Sequence, residues 1–546
     1  MSASDAALPR VITESIGGGA LARAAAGEAP PPFYAARPSS AGEWAERAAD
    51  VRRRSSPTWL DTLRPAFGAS LGGTAAGERL ARSAGGAGIL VTTGQQPGLF
   101  GGPVYSWSKA MGALALADAL ERATGMPVAP VFWAATDDSD FAEASVTRVA
   151  IGGEVVTLRQ APTAPDGVPM AEVPLGDDVP AAFDTLMQGA GSAAFARAWD
   201  VARAAYLAPG QSVGGAYVAL LRALLEPLGV AVLDASHPAT RAAADPVLRE
   251  ALRQATDVER ALAERDAAIR DAGYSVQVPA VAGLSLVFAS DARRAKTRVK
   301  ISDAAPVAAS APPGSLGPNV LLRPVVERAI LPTVAYVAGP GEIAYFAQVG
   351  AVAAALGADV PLSVPRWSCT LLEPHVARIL TRRGLEPSDL AQPHAAEGRL
   401  AREALPADVA ATLAQLRTAV RNGIQRLADA DRPDANGRAA PLVPTAAVDG
   451  ARRSLEVRLD RLERRYAAAA KRTATEAMRD LAVARAALYP EGIRQERSLN
   501  FLPFLARYGP ALLAAMRESA TAHANRLVAA DEHAAAPRPA QPAASR

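Results

Sequence analysis

The sequence holds a single cysteine, Cys369, in 546 residues, which excludes an internal disulfide and any cysteine-rich zinc site. Of its five histidines, His237 follows a strand and reads equally as a cleft residue or a turn residue before proline, and His375, His394, His523 and His533 have no ligand spacing between them. Aromatic residues make up 5%, and only four lysines occur, at 109, 296, 300 and 471, so arginine carries nearly all the positive charge. With 58 basic against 55 acidic residues the net charge is +3, too small a field to suggest nucleic-acid binding. No uncharged apolar run of about 20 residues escapes Gly and Pro breaks, so no membrane span is expected. The start "MSASDAALPR" lacks a basic stretch followed by an apolar one, so no signal peptide is expected. Together with the lone cysteine this suits a reducing cytoplasm.

What is present is length and alternation. A chain this long exceeds what one core organises, so two or more domains are expected. From about 85 to 375, apolar strand-like runs alternate with helical stretches, the pattern of an α/β parallel sheet. The runs are "GILVT" (88–92), "APVFWAA" (129–135), "VAVLDA" (230–235), "TVAYVAG" (333–339) and "PLSVP" (361–365), with helices at 104–123, 214–227, 240–271 and 342–356. Residues 145–210, rich in Pro and Gly, read as an insertion with short strands, and 240–310 as a second. Residues 1–84 read as a segment packing on this core, 376–520 as a helical domain and 521–546 as a disordered tail. Within the helical domain, Leu455, Leu459, Leu462, Tyr466, Ala469 and Thr473 are spaced 4, 3, 4, 3, 4, a coiled-coil seam that continues at Ala477, Leu481, Ala484 and Leu488. Two successive fours at Thr473, Ala477 and Leu481 form a stutter. A partner helix is expected over 402–429, joined through 432–450. The pattern fits a dimerisation arm and an intramolecular buttress equally.

Three loops carry candidate chemistry. "TTGQQPGLFGGP" (92–103) is a glycine-rich strand-to-helix turn that matches neither the dinucleotide fingerprint nor the Walker A loop. "WAATDDSDFAE" (133–143) clusters Asp137, Asp138 and Asp140 at a strand's carboxyl end. Carboxylates so close repel unless a cation, an arginine or a proton relieves them, so they suit a metal, a substrate amine or a general base; one could equally cap the next helix. "AYVAGPGEIAYFAQ" (335–348) repeats the first loop's logic, with Glu342 in the first helical turn and Tyr345 and Gln348 following. Upstream, Arg323 stands before a proline, either as an anion-binding guanidinium or as the partner of Glu327 one turn on. Cys369 has no convincing local base, so a cysteine nucleophile is not expected.

Together "VTTGQQPGLFGGPVYSWSKAMGALALA", "PVFWAATDDSDFAE", "PNVLLRPVVERAILPTVAYVAGPGEIAYFAQ", "VPRWSCTLLE" and "QERSLNFLPFLARYGP" resemble the bacillithiol biosynthesis cysteine-adding enzymes, the BshC family, from roughly residue 90 to 515. The resemblance implies a Rossmann-like α/β core with inserted connecting segments and a C-terminal coiled coil supporting a homodimer. It implies a cytoplasmic ligase adding cysteine to glucosaminyl-malate by an amide bond, with ATP or another activated donor and a metal requirement left open. Thr93, Gly94, Gln95, Gln96, Tyr105, Arg323, Gly339, Gly341, Glu342, Tyr345 and Gln348 would bind substrate, and Asp137, Asp138 and Asp140 would carry the catalytic acid-base or amine-holding role. One departure stands out. The family's acidic loop typically reads Gly-Glu-Asp-His-Asp-Phe, followed shortly by Asn-His, whereas Ser139 and Ser145 occupy the imidazole positions here. A divergent ligase with another amine or acyl donor, or a non-catalytic dimeric binding protein, therefore stays open.

Overall fold

Short runs that are apolar on both faces cannot lie on an open surface, and they assemble into one sheet covered on both sides. The computed structural model describes residues 8–27, 29–86, 88–191, 193–291, 295–430 and 442–529. In chain order the strands are β1 (Arg10–Glu14), β2 (Ile89–Gln95), β3 (Val128–Ala134), β4 (Val146–Ile151), β5 (Glu154–Arg159), β6 (Ala231–Asp234), β7 (Leu284–Ser290), β8 (Lys296–Lys300), β9 (Leu316–Pro318), β10 (Thr333–Ala338), β11 (Ser363–Pro365) and β12 (Ser368–Leu372). The central sheet has the order β11-β10-β2-β3-β6, parallel throughout. All five expected runs are its strands, and every residue of β3 and β10 is buried. The chain leaves β2 toward β3 and β6, then returns to place β10 and β11 on the other side. The carboxyl ends of β2 and β10 therefore flank the topological switch point, where sheets of this kind bind ligands.

The helix Val104–Thr124 covers one face of the sheet and ends on Gly125, whose φ of 68° closes the last turn. On another face, Trp59, Leu60, Leu63 and Phe67 from the N-terminal segment pack with Leu90, Val131, Trp133 and Leu233. The long helix expected over 240–271 is two, Pro238–Arg253 and Ala255–Asp271, broken at Gln254. The first insertion holds the β4–β5 hairpin, and the second holds β7 and β8, whose sheet is completed by β9 beyond the insertion's expected end. β1 adds antiparallel to β12.

Contacts divide the chain into two units, the second comprising 150–155 and 373–494. The first takes up the remainder, so the segment from Gln495 onward returns to the unit that holds the sheet. Its last helix, Leu502–Val528, runs past the expected helical end at 520, while 530–546 lies outside the described residues. In the second unit, Ala407–Ala430 pairs with Thr445–Thr473, the latter starting inside the stretch expected to be a connection, of which 431–441 lies outside the described residues. Arg417 joins the pair by reaching Asp460 at 2.5 Å and Glu463 at 2.8 Å.

The seam behaves differently along its length. The helix breaks at Ala474 (φ −83°, ψ 45°), at the stutter, and beyond it Leu481, Ala484 and Leu488 are core. Before the break, the covered line is Glu456, Asp460, Glu463, Ala467 and Ala470, one residue displaced from most of the expected seam; Leu459 is half-buried. Leu455, Leu462 and Tyr466 are exposed at 37%, 37% and 45%. An intramolecular buttress accounts for the second half of the seam and leaves the first half uncovered. No described helix is long and apolar enough to cross a membrane.

Candidate active site

At the switch point, β2 and β10 deliver their terminal residues to a buried ionic knot. Lys109, from the Val104–Thr124 helix, donates to the Gly94 carbonyl at 2.6 Å and the Gln95 Oε1 at 3.0 Å, and its Nζ lies 2.5 Å from Glu342 Oε2. All three ammonium hydrogens thus have acceptors. Glu342 also accepts from the Gly339 amide at 2.6 Å and from the Tyr336 hydroxyl at 2.6 Å. Burial would raise the Glu342 carboxyl, but the Lys109 charge and hydrogen bond outweigh it and hold the group below its ordinary value. Burial pulls Lys109 down from the ordinary lysine range, with Glu342 opposing. Gly94 has no room for a side chain: a Cβ would lie 2.8 Å from the Trp133 carbonyl oxygen.

Beside this knot lies a cavity of about 250 Å³, walled by Gln95, Gln96, Tyr105, Glu143 and Ser498 and edged by Arg148, Arg159 and Arg497. The Lys109 bond fixes the Gln95 amide so that its Nε2 donates to the Tyr105 hydroxyl at 3.1 Å. Gln96 Nε2 donates to Glu143 Oε2 at 3.0 Å. Arg366 and Arg497 lie over the Tyr105 ring at 5.8 and 5.9 Å. The returning segment is anchored by Glu496, which receives two parallel bonds from Arg366 at 2.7 and 2.8 Å and one from Ser368 at 2.5 Å. Next to it Asn500 donates to the Leu99 carbonyl (3.2 Å), the Phe100 carbonyl (3.0 Å) and Thr147 (3.1 Å). That clamp holds Phe100 at φ 54°, a conformation costly for a non-glycine residue.

Some amides of the glycine loops are already paired. The Gly101 amide is taken by the Tyr206 hydroxyl (3.1 Å), and the Val104 amide by the Leu499 carbonyl (3.0 Å). At the helix Pro340–Ala355, Glu342 itself fills the cap through Gly339, leaving Gly341 exposed.

The structure brings together Gly94, Gln95, Gln96, Tyr105, Gly339 and Glu342 and separates other expected residues from the cavity. Thr93 spends its hydroxyl on the Val337 carbonyl at 2.8 Å, stitching β2 to β10. Arg323 pairs with Glu327 at 2.7 Å, lies 4.8 Å over the Tyr336 ring and reaches Tyr345 at 3.5 Å, so it and Tyr345 brace the knot from behind. Gln348 binds Asp266 at 2.8 Å and the Val278 carbonyl at 2.9 Å, fixing an insertion to the core. The three aspartates do not converge. Asp137 faces Lys296 at 3.5 Å, Asp138 accepts the Asp140 amide at 2.8 Å, and Asp140 caps the helix Phe141–Ala144 through Glu143 N at 3.1 Å. None of the three lines the cavity. Burial pushes Asp138 up from the ordinary carboxyl range. Among the described residues no group of three or more His, Cys, Asp or Glu side chains is placed to hold a metal ion. Cys369 is fully buried, and burial pushes its thiol well up.

Sequence reasoning passed over Lys109, Glu143, Arg148, Arg159, Arg497 and Ser498. Two signals were available: Glu143 closes "DDSDFAE", and Arg497 and Ser498 sit inside "QERSLNF". Their proximity is tertiary and leaves no local pattern.

Residues 26–367 match the family model of the bacillithiol biosynthesis BshC N-terminal Rossmann-like domain, and 369–527 that of its C-terminal coiled-coil domain. The chain is similar to proteins named "Putative cysteine ligase BshC" from Solibacter usitatus (33% identical, 79% of this chain and 82% of the relative) and Koribacter versatilis (33%, 83% and 85%). A third, from Salinibacter ruber, is 31% identical over 79% of this chain and 80% of its own length.

Proposed function

We propose a function from one premise: this chain belongs to the BshC family of bacillithiol biosynthesis proteins. It is a ligase that joins cysteine to the amino group of glucosaminyl-malate through an amide bond. The observation that carries this reading is the cavity at the switch point, where amides and hydroxyls face three guanidinium groups. A sugar offers hydroxyls that match Gln95 and Gln96, and a malyl group offers two carboxylates that match arginines. The ordered knot of Lys109, Glu342 and Tyr336 holds both glycine turns in place, so the cavity wall is set before substrate arrives.

A free carboxylate is a poor acyl donor, so ATP or another activated donor supplies the driving force. Its phosphates suit the guanidinium edge of the cavity, where Arg148, Arg159 and Arg497 gather. The exposed seam half formed by Leu455, Leu462 and Tyr466 supports a homodimer through the helical arm. A cytoplasmic setting suits the single buried thiol.

The test is direct. Purified protein supplied with cysteine, glucosaminyl-malate and ATP is expected to release bacillithiol, followed by mass spectrometry. No product, under conditions where a relative from the same family gives it, sinks the reading. One observation favours a second reading, a ligase with a different amine or acyl donor: among the described residues no imidazole lines the cavity. If Ser139→His gains cysteine ligation that the parent chain lacks, the site is a decayed one; no gain supports the different donor.

A further inference from the structure

Amide formation needs a group that takes a proton from the attacking amine, and among the described residues this cavity has one carboxylate in its wall and no histidine. That carboxylate is Glu143, exposed to solvent on one side and held on the other by Gln96 at 3.0 Å. The Tyr105 hydroxyl, which accepts from Gln95, lines the same cavity as Glu143. A directed chain runs from the Lys109 ammonium through Gln95 to the Tyr105 hydroxyl. Opposite, Arg497 and Arg159 provide positive charge without a carboxylate in ion-pair contact among the described residues. The hydroxyl of Ser498, 4% exposed and lining the same cavity, has no hydrogen-bond partner. An unmatched buried hydroxyl beside uncompensated guanidinium groups marks a place for a polar, anionic ligand.

We infer that Glu143 is the general base that accepts the amine proton in this cavity. The inference rests on the ligase reading given above. The acyl group arrives as a mixed carboxylic–phosphoric anhydride. As the amine nitrogen adds to the acyl carbon, its N–H proton passes to a Glu143 oxygen. The new C–N bond forms while the acyl carbon–oxygen bond breaks, and the phosphate oxygen leaves with the electron pair. The environment suits that task, since burial, then Asp140 and Asp138, push the Glu143 carboxyl above its ordinary range. Tyr105 and Arg497 pull the other way. Arg148 and Arg159 complete the charged groups around the cavity. A base with a raised pKa is a better proton acceptor near neutrality.

Glu143→Gln keeps the shape and the Gln96 contact but cannot take a proton. With glucosaminyl-malate, cysteine and ATP, it is expected to lower kcat by about 10²–10⁴-fold while KM for glucosaminyl-malate changes less than about threefold. The acid limb of the kcat/KM profile should vanish. Tyr105→Phe, which removes a neighbouring hydroxyl that lowers Glu143, should move that limb to higher pH. Wild-type activity with an unaltered profile in Glu143→Gln overturns the base assignment alone. Loss of glucosaminyl-malate binding in that variant overturns it too, by assigning Glu143 to binding. Absence of product from the wild-type protein overturns the ligase reading and the base assignment together.

Discussion

Glu496→Ala isolates the ion pair that ties the returning C-terminal segment to the sheet unit. Arg366 and Glu496 are 1% and 2% exposed, and both guanidinium-to-carboxylate bonds are under 3 Å, at 2.7 and 2.8 Å. Truncating one partner leaves a buried charge uncompensated, which costs about 3–5 kcal/mol. At about 2 °C per kcal/mol, the low end for large domains, the melting temperature should fall by roughly 6–10 °C. Replacing both residues, as Arg366→Met with Glu496→Leu, should recover most of the loss, because no charge is then stranded. Burial alone would raise Glu496, yet the bond to Arg366 outweighs it, so the folded pKa lies below the unfolded one. The stabilisation is therefore complete above the ordinary carboxyl range near pH 4–5 and is lost as pH falls through the lower folded value. Urea unfolding at pH 7 and at pH 3 measures both effects. A Glu496→Ala cost under about 1 kcal/mol, or a double variant no better than the single one, would refute the reasoning.

Gly94→Ala should cost about 1–3 kcal/mol and depress ligase activity, since its Cβ would press on the Trp133 carbonyl oxygen at 2.8 Å; a wild-type melt sinks this. Lys109→Met strands the Glu342 carboxylate and should cost about 3–5 kcal/mol in denaturant unfolding, an effect absent if the knot is not formed. Leu462→Glu with Tyr466→Glu, at positions 37% and 45% exposed, should halve the mass seen by light scattering without a loss of helix signal. A wild-type protein that already runs as a monomer contradicts the arm's role as a dimer contact.

The sheet was legible because each strand is a short apolar run bounded by turn residues, and burial on both faces leaves such a run few alternatives. The helix over 240–271 was read as continuous because its apolar spacing carries across Gln254, whose turn is imposed by packing. The coiled-coil seam was right in spacing, and its stutter marked a real break at Ala474. Which half would be covered depended on partners that spacing does not encode. At the site, the glycine turns and Gln95 and Gln96 were visible as local signals. Gln348 looked available because a sequence shows donors and hides the acceptors already waiting for them, whereas the pairing of Arg323 with Glu327 was one of the two readings the spacing offered. The cavity's guanidinium groups come from β4, β5 and the segment after 494, brought together only by folding.

That last convergence constrains how the protein is made. The glycine turn, the acidic loop and the β4–β5 hairpin emerge from the ribosome more than 330 residues before Arg497 and Ser498. At bacterial and eukaryotic synthesis rates that interval is roughly 15–70 s. Throughout it, the nascent sheet lacks the bond from Arg366 to Glu496 and the Asn500 clamp on the Phe100 turn. The entire helical arm must be translated first. Completion of the site is therefore a late, high-contact-order event, and a chain that stops within the arm carries an unfinished wall however well its sheet has formed.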